Sequence, residues 1–225
     1  MSEKLVNRRS IITSSLLGAG ALLSVSGKAS DTLKSFCGLT PAQTEGPFYP
    51  ISDQADKDWD LTVIKGNTKK ASGEVILIKG VVQDQDCKPV PGALVEIWQA
   101  CESGKYNHPG DPNTATLDPN FQYWGRAISN QRGEYLFKTI KPGHYPATST
   151  WMRPAHIHVK VHLRGFEELT TQLYFKGDRY NAGDRILQRL SASERKLLLV
   201  DLKEDLLVDP KLRVGVFDIN LRPVV

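Results

Sequence analysis

The feature that most constrains this chain is a series of short, apolar, β-branched runs that begins at Val75, with turn-forming residues between them. Val75-Ile76-Leu77-Ile78 and Val81-Val82 open the series, and Asp84 to Gly92 supplies the Pro and Gly of a connecting loop. Ala93 to Trp98 is the next run. Tyr123 to Ile128, Gly133 to Thr139, Ala155 to Leu163, Thr170 to Phe175 and Val214 to Ile219 read as further strands. Many short strands with turns between them predict an all-β fold, a β-sandwich of mostly antiparallel strands with long loops. One stretch departs from this pattern. Ser193 can cap a short C-terminal helix running to Leu207, with Leu197, Leu198, Val200, Leu202 and Leu206 on its apolar face. Cys101 to Asn120 is a long loop rich in Gly, Pro, Asn and Asp, and loops of that length in compact domains are often functional. Thr40 to Pro50 holds three prolines and a glycine, so an extended arm is expected there.

The chain has 225 residues and a formal charge of +4. Most of that charge is local, because residues 1–29 carry Lys4, Arg8, Arg9 and Lys28 against Glu3 alone. The rest is near neutral and has no basic stripe, which argues against nucleic acid as a partner. Arg8-Arg9 precede an apolar run from Ile11 to Val25, and Gly27-Lys28-Ala29 follows with small residues suited to a signal peptidase. Residues 1–29 therefore read as an export signal of the twin-arginine type. The run is short of the roughly 20 residues needed to span a bilayer, so no stable membrane span is expected after processing. Residues 30–225 are expected to form one domain, exported to the periplasm or beyond. Cys37, Cys87 and Cys101 allow one disulfide with one thiol left over. If residues 76–84 and 93–100 form a hairpin, Cys87 sits at its turn and Cys101 at its far end. At ~3.3 Å per residue the ends lie roughly 26 Å apart, too far to bridge.

Ala155-His156-Ile157-His158-Val159 is the strongest local signal for chemistry. In a strand, residues i and i+2 leave the same face, so His156 and His158 can reach one ion. H-x-H alone is weak. His162 shares the parity, which leaves open a three-His zinc or copper site. Tyr145 lies just before the pair in Pro142-Gly143-His144-Tyr145-Pro146, and Tyr106 lies early in the long loop. Two phenolates with two neutral imidazoles suit a hard trivalent ion such as Fe(III), and two phenolates plus hydroxide would balance its charge.

With these residues in view, the sequence resembles the intradiol ring-cleavage dioxygenases, the non-haem iron family of protocatechuate and catechol dioxygenases. The resemblance runs from about Leu39 to Phe175. It rests on Thr44-Glu45-Gly46-Pro47-Phe48-Tyr49, on Gly80-Val81-Val82 through Pro91-Gly92-Ala93 to Val95-Glu96-Ile97-Trp98, and on Gly104-x-Tyr106. It continues through Gly133-Glu134-Tyr135, Thr139 to Gly143, Arg153-Pro154-Ala155-His156-Ile157-His158 and Thr171-Gln172-Leu173-Tyr174-Phe175. It implies one Fe(III) per chain, with Tyr106 and His156 equatorial and Tyr145 and His158 axial. A catechol would displace Tyr145, which helps remove its protons. O2 would then cleave the ring between the two hydroxylated carbons to give a muconate-type diacid. Arg153 would stabilise negative charge beside the ring, and Gln172 would hydrogen-bond in the same pocket. Thr44, Gly46 and Pro47 would wall the substrate site, the glycine because a side chain there would block approach. The resemblance to the protocatechuate type also implies a homo-oligomer.

The sequence departs from the family pattern at Ala147, where protocatechuate enzymes tend to carry a bulky aromatic, which suggests a roomier pocket. Cys87 stands where the family often has glycine. Arg164 reads as an exposed loop arginine. A non-catalytic transthyretin-like sandwich module could share the strand pattern, but it would have no need of Tyr106, Tyr145, His156 and His158 together.

Overall fold

The computed structural model describes residues 37–54, 56–205 and 209–224. The export signal expected over residues 1–29 lies outside them. Twelve strands and one short helix are described: β1 Val75–Asp84, β2 Leu94–Trp98, β3 Trp124–Ile128, β4 Glu134–Ile140, β5 Tyr145–Thr148, β6 Trp151–Arg153, β7 His156–His162, β8 Leu169–Phe175, α1 Ala192–Leu198, β9 Leu199–Val200, β10 Lys203–Asp205, β11 Asp209–Val216 and β12 Ile219–Leu221. The all-β expectation holds. Among the described residues no helix is long and apolar enough to cross a membrane.

One sheet is built around β1. It pairs antiparallel with β4 on one side and parallel with β11 and then β12 on the other, and β10 pairs with β11. The second sheet runs β3-β2-β7-β8-β9. Alternation along the strands buries one face of each sheet against the other. Ile76 and Ile78 of β1 and Phe137 of β4 meet Val95 and Ile97 of β2, Ile157 and Val159 of β7 and Leu173 of β8 in the inter-sheet core. β5 and β6 form a separate two-stranded ribbon beside the second sheet's strand β7 in sequence.

The structure corrects two expectations, the hairpin and the helix. Residues 76–84 and 93–100 do not form a hairpin, because β1 and β2 belong to different sheets and the loop between them crosses the sandwich. Cys87 and Cys101 are indeed unpaired with each other: Cys87 bonds to Cys37, with Cα atoms 5.3 Å apart, and Cys101 is free and buried. The helix ends at Leu198, not Leu207, and its cap is Ser191, whose hydroxyl accepts from Glu194 N–H while the Glu194 carboxylate accepts from Ser191 N–H. A seven-residue helix is marginal alone. Leu199 and Val200 instead pair parallel with Tyr174 and Phe175, which buries Val200 at the sheet edge.

The arm from Cys37 to Pro50 runs from the ends of β1 and β12 in the first sheet to β8 in the second. Cys37 N–H donates to Gln85, Thr40 N–H to Asn220 and Gln43 N–H to Thr170, all to backbone carbonyls. Its route brings residues 43–49 over the outer face of β7, where the two histidines point.

Candidate active site

β7 lies between β2 and β8, and its residues divide by parity. Ile157, Val159 and Val161 enter the inter-sheet core. His156 and His158 leave the opposite face, where a second apolar cluster of Trp98, Ala100, Tyr106, Trp124 and Tyr145 is packed by Phe48 and Tyr49. Register supplies the immediate neighbours: His158 stands between Trp98 and Gln172, and His156 stands beside Tyr174. The Trp98 indole stacks on His158 with ring centres 4.8 Å apart.

Both tyrosines are brought to the same spot. Tyr106 Oη lies 3.3 Å and Tyr145 Oη 3.5 Å from His156 Nε2. His156 Nδ1 is 2.7 Å from the Pro154 carbonyl, so it carries the proton and leaves the Nε2 lone pair for the site. His158 is buried, and its Nδ1 has no hydrogen-bond partner among the described residues. Burial and the nearby Arg153 charge hold both imidazoles well below their usual pKa, so both are neutral donors at pH 7. Burial pushes the Tyr106 phenol well above its usual value, with Tyr145 adding to the shift. Burial also raises Tyr145, but Arg153 beside it opposes the rise. Left to themselves, both phenols stay protonated; a strong cation at their oxygens would be needed to ionise them. Among the described residues no three His, Cys, Asp or Glu side chains converge on one point, so any metal here must draw on the tyrosines. Two phenol oxygens and two neutral imidazoles in a dry setting form a donor set fit for a hard trivalent ion.

Local backbone chemistry fixes these positions. The loop that carries Tyr106 is tied by Asp111, whose carboxylate accepts from Tyr106 N–H at 2.7 Å and Asn113 N–H at 2.9 Å, and by Lys105, which donates to the Asp111 and Asn113 carbonyls. The Tyr145 segment packs backbone to backbone on that loop. A Cβ on Gly104 would lie 2.2 Å from the His144 carbonyl oxygen, and one on Gly143 2.1 Å from that of Glu102. Only glycine permits such an approach.

Arg153 and Gln172 meet in the same buried corner. Arg153 Nη2 donates to Gln172 Oε1 at 2.6 Å, and Gln172 Nε2 donates to the Thr44 carbonyl at 2.9 Å. Gly46 has φ of +72°, and a Cβ there would lie 3.3 Å from His158 Cε1, in keeping with the expected need for glycine. Pro47 is exposed; its neighbour Phe48 is the arm residue whose ring lies 4.9 Å from Tyr106 and 6.3 Å from Tyr145. His162 does not join the site. It is exposed at the far end of β7 and faces Glu168 at 3.7 Å, which removes the three-His arrangement. Arg164 is exposed, and so is Ala147 on the β5–β6 ribbon.

Sequence reasoning passed over Phe48, Trp98 and Tyr174. Trp98 and Tyr174 follow from pairing register, which no local pattern reveals. Phe48 lies within the run Thr44 to Tyr49 but carries no polar atom to mark it as a site residue.

Two histidines and two tyrosines converge on the outer face of a β-sandwich, an arrangement of phenol and imidazole groups that points to an enzyme active site. A family model described as a dioxygenase matches residues 44–223. The protocatechuate 3,4-dioxygenase beta chain of Burkholderia cepacia is 39% identical over 180 residues, covering 78% of this chain and 76% of that one. The catechol 1,2-dioxygenase of Acinetobacter baylyi is 30% identical over 211 residues, with 64% of its own length covered. Among solved structures, the dioxygenase domain of a dioxygenase and carbohydrate-binding protein fusion from Streptomyces sp. SirexAA-E superposes with a TM-score of 0.61 at 30% identity, covering 83% of this chain and 100% of that one. The chain belongs to the intradiol ring-cleavage dioxygenases, a family of oxidoreductases.

Proposed function

We propose that this protein binds one ferric ion per chain through Tyr106, Tyr145, His156 and His158, and uses O2 to open a catechol-type ring between its two hydroxylated carbons, giving a muconate-type diacid. The observation that carries the reading is that both phenol oxygens fall within 3.5 Å of a bare, buried imidazole nitrogen. The ferric ion would supply Lewis acidity that ionises the phenols and the bound catechol and activates the ring towards O2.

The remaining work falls to this chain's own side chains. Tyr145 Oη takes a proton from an incoming catechol hydroxyl as the ring enters. Tyr106 stays in place, held by its Asp111-tied loop. Arg153 presents a fixed cation beside the ring, where negative charge builds up during reaction. Gln172 joins that arginine to the arm at Thr44, so the wall made by Thr44, Gly46 and Pro47 is positioned by the same hydrogen bonds. Phe48 and Trp98 exclude water around the rings.

We propose likewise that residues 1–29 are a twin-arginine export signal and that the mature protein works outside the cytoplasm as a homo-oligomer. The Cys37–Cys87 disulfide supports an oxidising compartment.

The test is a visible spectrum of the iron-loaded mature protein, before and after anaerobic addition of catechol. A red-brown protein with a broad charge-transfer band that shifts to longer wavelength with catechol is expected. A colourless protein with confirmed metal content would sink the reading.

A further inference from the structure

Arg153 owes its pose to a carboxylate that nothing above uses. Asp184 is completely buried between two single turns of 3-10 helix, Asn181–Gly183 and Leu187–Arg189. Its Oδ1 accepts from Ile186 N–H at 3.1 Å and Leu187 N–H at 2.7 Å. Its Oδ2 accepts from Arg153 Nε at 2.8 Å. Those backbone bonds fix the carboxylate before it meets the arginine. The guanidinium is then tied at two points, Nε by Asp184 and Nη2 by Gln172, with the Tyr174 hydroxyl 3.5 Å from Nη2. Two fixed N–H directions on a rigid planar group leave it no rotation. Without Asp184, the buried cation would keep only neutral partners and would be free to turn away from Tyr145.

We infer that Asp184 is the positioning residue for Arg153: it aims the guanidinium at the reacting ring and acts on turnover only through it. The inference rests on the proposed role of Arg153 beside the catechol. It predicts an effect on turnover and little on ring binding, because the aimed charge matters most where negative charge develops. Asp184 itself touches neither the ring nor the metal.

Asp184→Asn is the informative variant. The amide oxygen can still accept from Ile186 and Leu187, so the turn is kept, whereas the amide nitrogen cannot accept from Arg153 Nε. Steady-state kinetics with catechol are expected to show kcat lowered about 10- to 100-fold and KM changed less than about threefold. Iron content and the position of the visible band should match the wild type. In an Arg153→Gln background, Asp184→Asn should add no further loss, since residues that act through one another are not additive. Arg153→Lys keeps the charge but loses the Nε contact, and it should lose turnover to a similar extent even where Asp184→Asn folds poorly. Additive losses, a wild-type rate in Arg153→Lys, or a loss that tracks only iron content would overturn the inference. A wild-type protein that binds iron but leaves catechol intact would instead overturn the dioxygenase reading, and the two failures are told apart in the unmutated protein.

Discussion

The two tyrosines meet at one histidine nitrogen, yet they are supported in opposite ways. Tyr106 sits in a loop bound by Asp111 and Lys105, and Phe48 covers its ring. Tyr145 opens a two-stranded ribbon whose register shifts between Pro146 and Thr148 and whose next three residues are exposed. Their electrostatics differ in the same sense. After burial, the largest influence on Tyr106 is Tyr145, which raises its pKa further, whereas for Tyr145 it is Arg153, which lowers it. On the proposed reading Tyr106 is the phenol that stays and Tyr145 the one that moves, and Tyr145 has the cation that eases its ionisation. This division follows from the loop and ribbon that carry each tyrosine, since both residues reach the same nitrogen.

The largest expected effect breaks that comparison directly. Tyr106→Phe removes the fixed donor, so iron should be lost on gel filtration and ring opening abolished. Tyr145→Phe removes the mobile one. Iron should be retained, the visible band altered, and kcat lowered about 10²-fold, the range for loss of one proton acceptor. Metal analysis and steady-state kinetics on both variants check this. Equal iron retention in the two would mean that the supports do not assign the roles.

Gly104 tests the joint between the two supports. An added Cβ would meet the His144 carbonyl oxygen at 2.2 Å, and the glycine has φ of +81°, so Gly104→Ala cannot be absorbed by a side-chain shift. It should destabilise the fold by about 2–3 kcal/mol and lower Tm by about 5–10 °C in a domain of this size. Thermal unfolding of the metal-free protein measures this. An unchanged Tm would show that the Tyr106 loop and the Tyr145 segment are not packed as a unit.

Most of the fold was legible because its signals are local. The short apolar, β-branched runs mark β1 to β4, β7 and β8 to within a residue or two, and the parity of His156 and His158 selects one face of one strand. The β5–β6 ribbon was not legible, since Tyr145 to Thr148 contains a proline and has only its first residue buried, which is no strand pattern. Nor was the separation of β1 from β2. That depends on β1 finding β4, β11 and β12, and such pairings are set by the whole core. The C-terminal helix failed at its far end for the same reason, because Leu199 and Val200 gain more from pairing with β8 than from continuing a short helix. In the site, four donors were visible as residue types in order, but what aims them was not. Trp98, Tyr174 and Asp184 are placed by long-range register and by a turn with no motif.

The buried histidines give the metal-free protein a pH-dependent stability. Their folded pKa values lie below the ordinary 6.5, chiefly through burial and then through Arg153. The unfolded chain therefore binds protons below about pH 6.5 that the folded chain refuses. This contribution is complete above that pH and is lost as pH falls towards the folded values. Urea unfolding of the metal-free protein between pH 5 and pH 8 should show it. Arg153→Gln should narrow the window by letting the folded histidines take up protons more readily. A flat profile would mean that the histidines are solvated once the metal is absent, and that their neutrality is not built into the fold.

The smallest effect is expected at His162, and it bears on how far the active face of β7 extends. His162 shares the parity of His156 and His158, so sequence alone puts it on the same face. It lies six residues from His156, roughly 20 Å along a strand, and its side chain is 61% exposed opposite Glu168. An exposed pair of this kind is worth about 0–1 kcal/mol. His162→Ala should leave iron content, visible band and kcat unchanged and shift Tm by no more than a degree or two. A loss of metal in that variant would mean that the third histidine reaches the ion, and the division of labour between the two tyrosines would then have no metal centre of the proposed kind to serve.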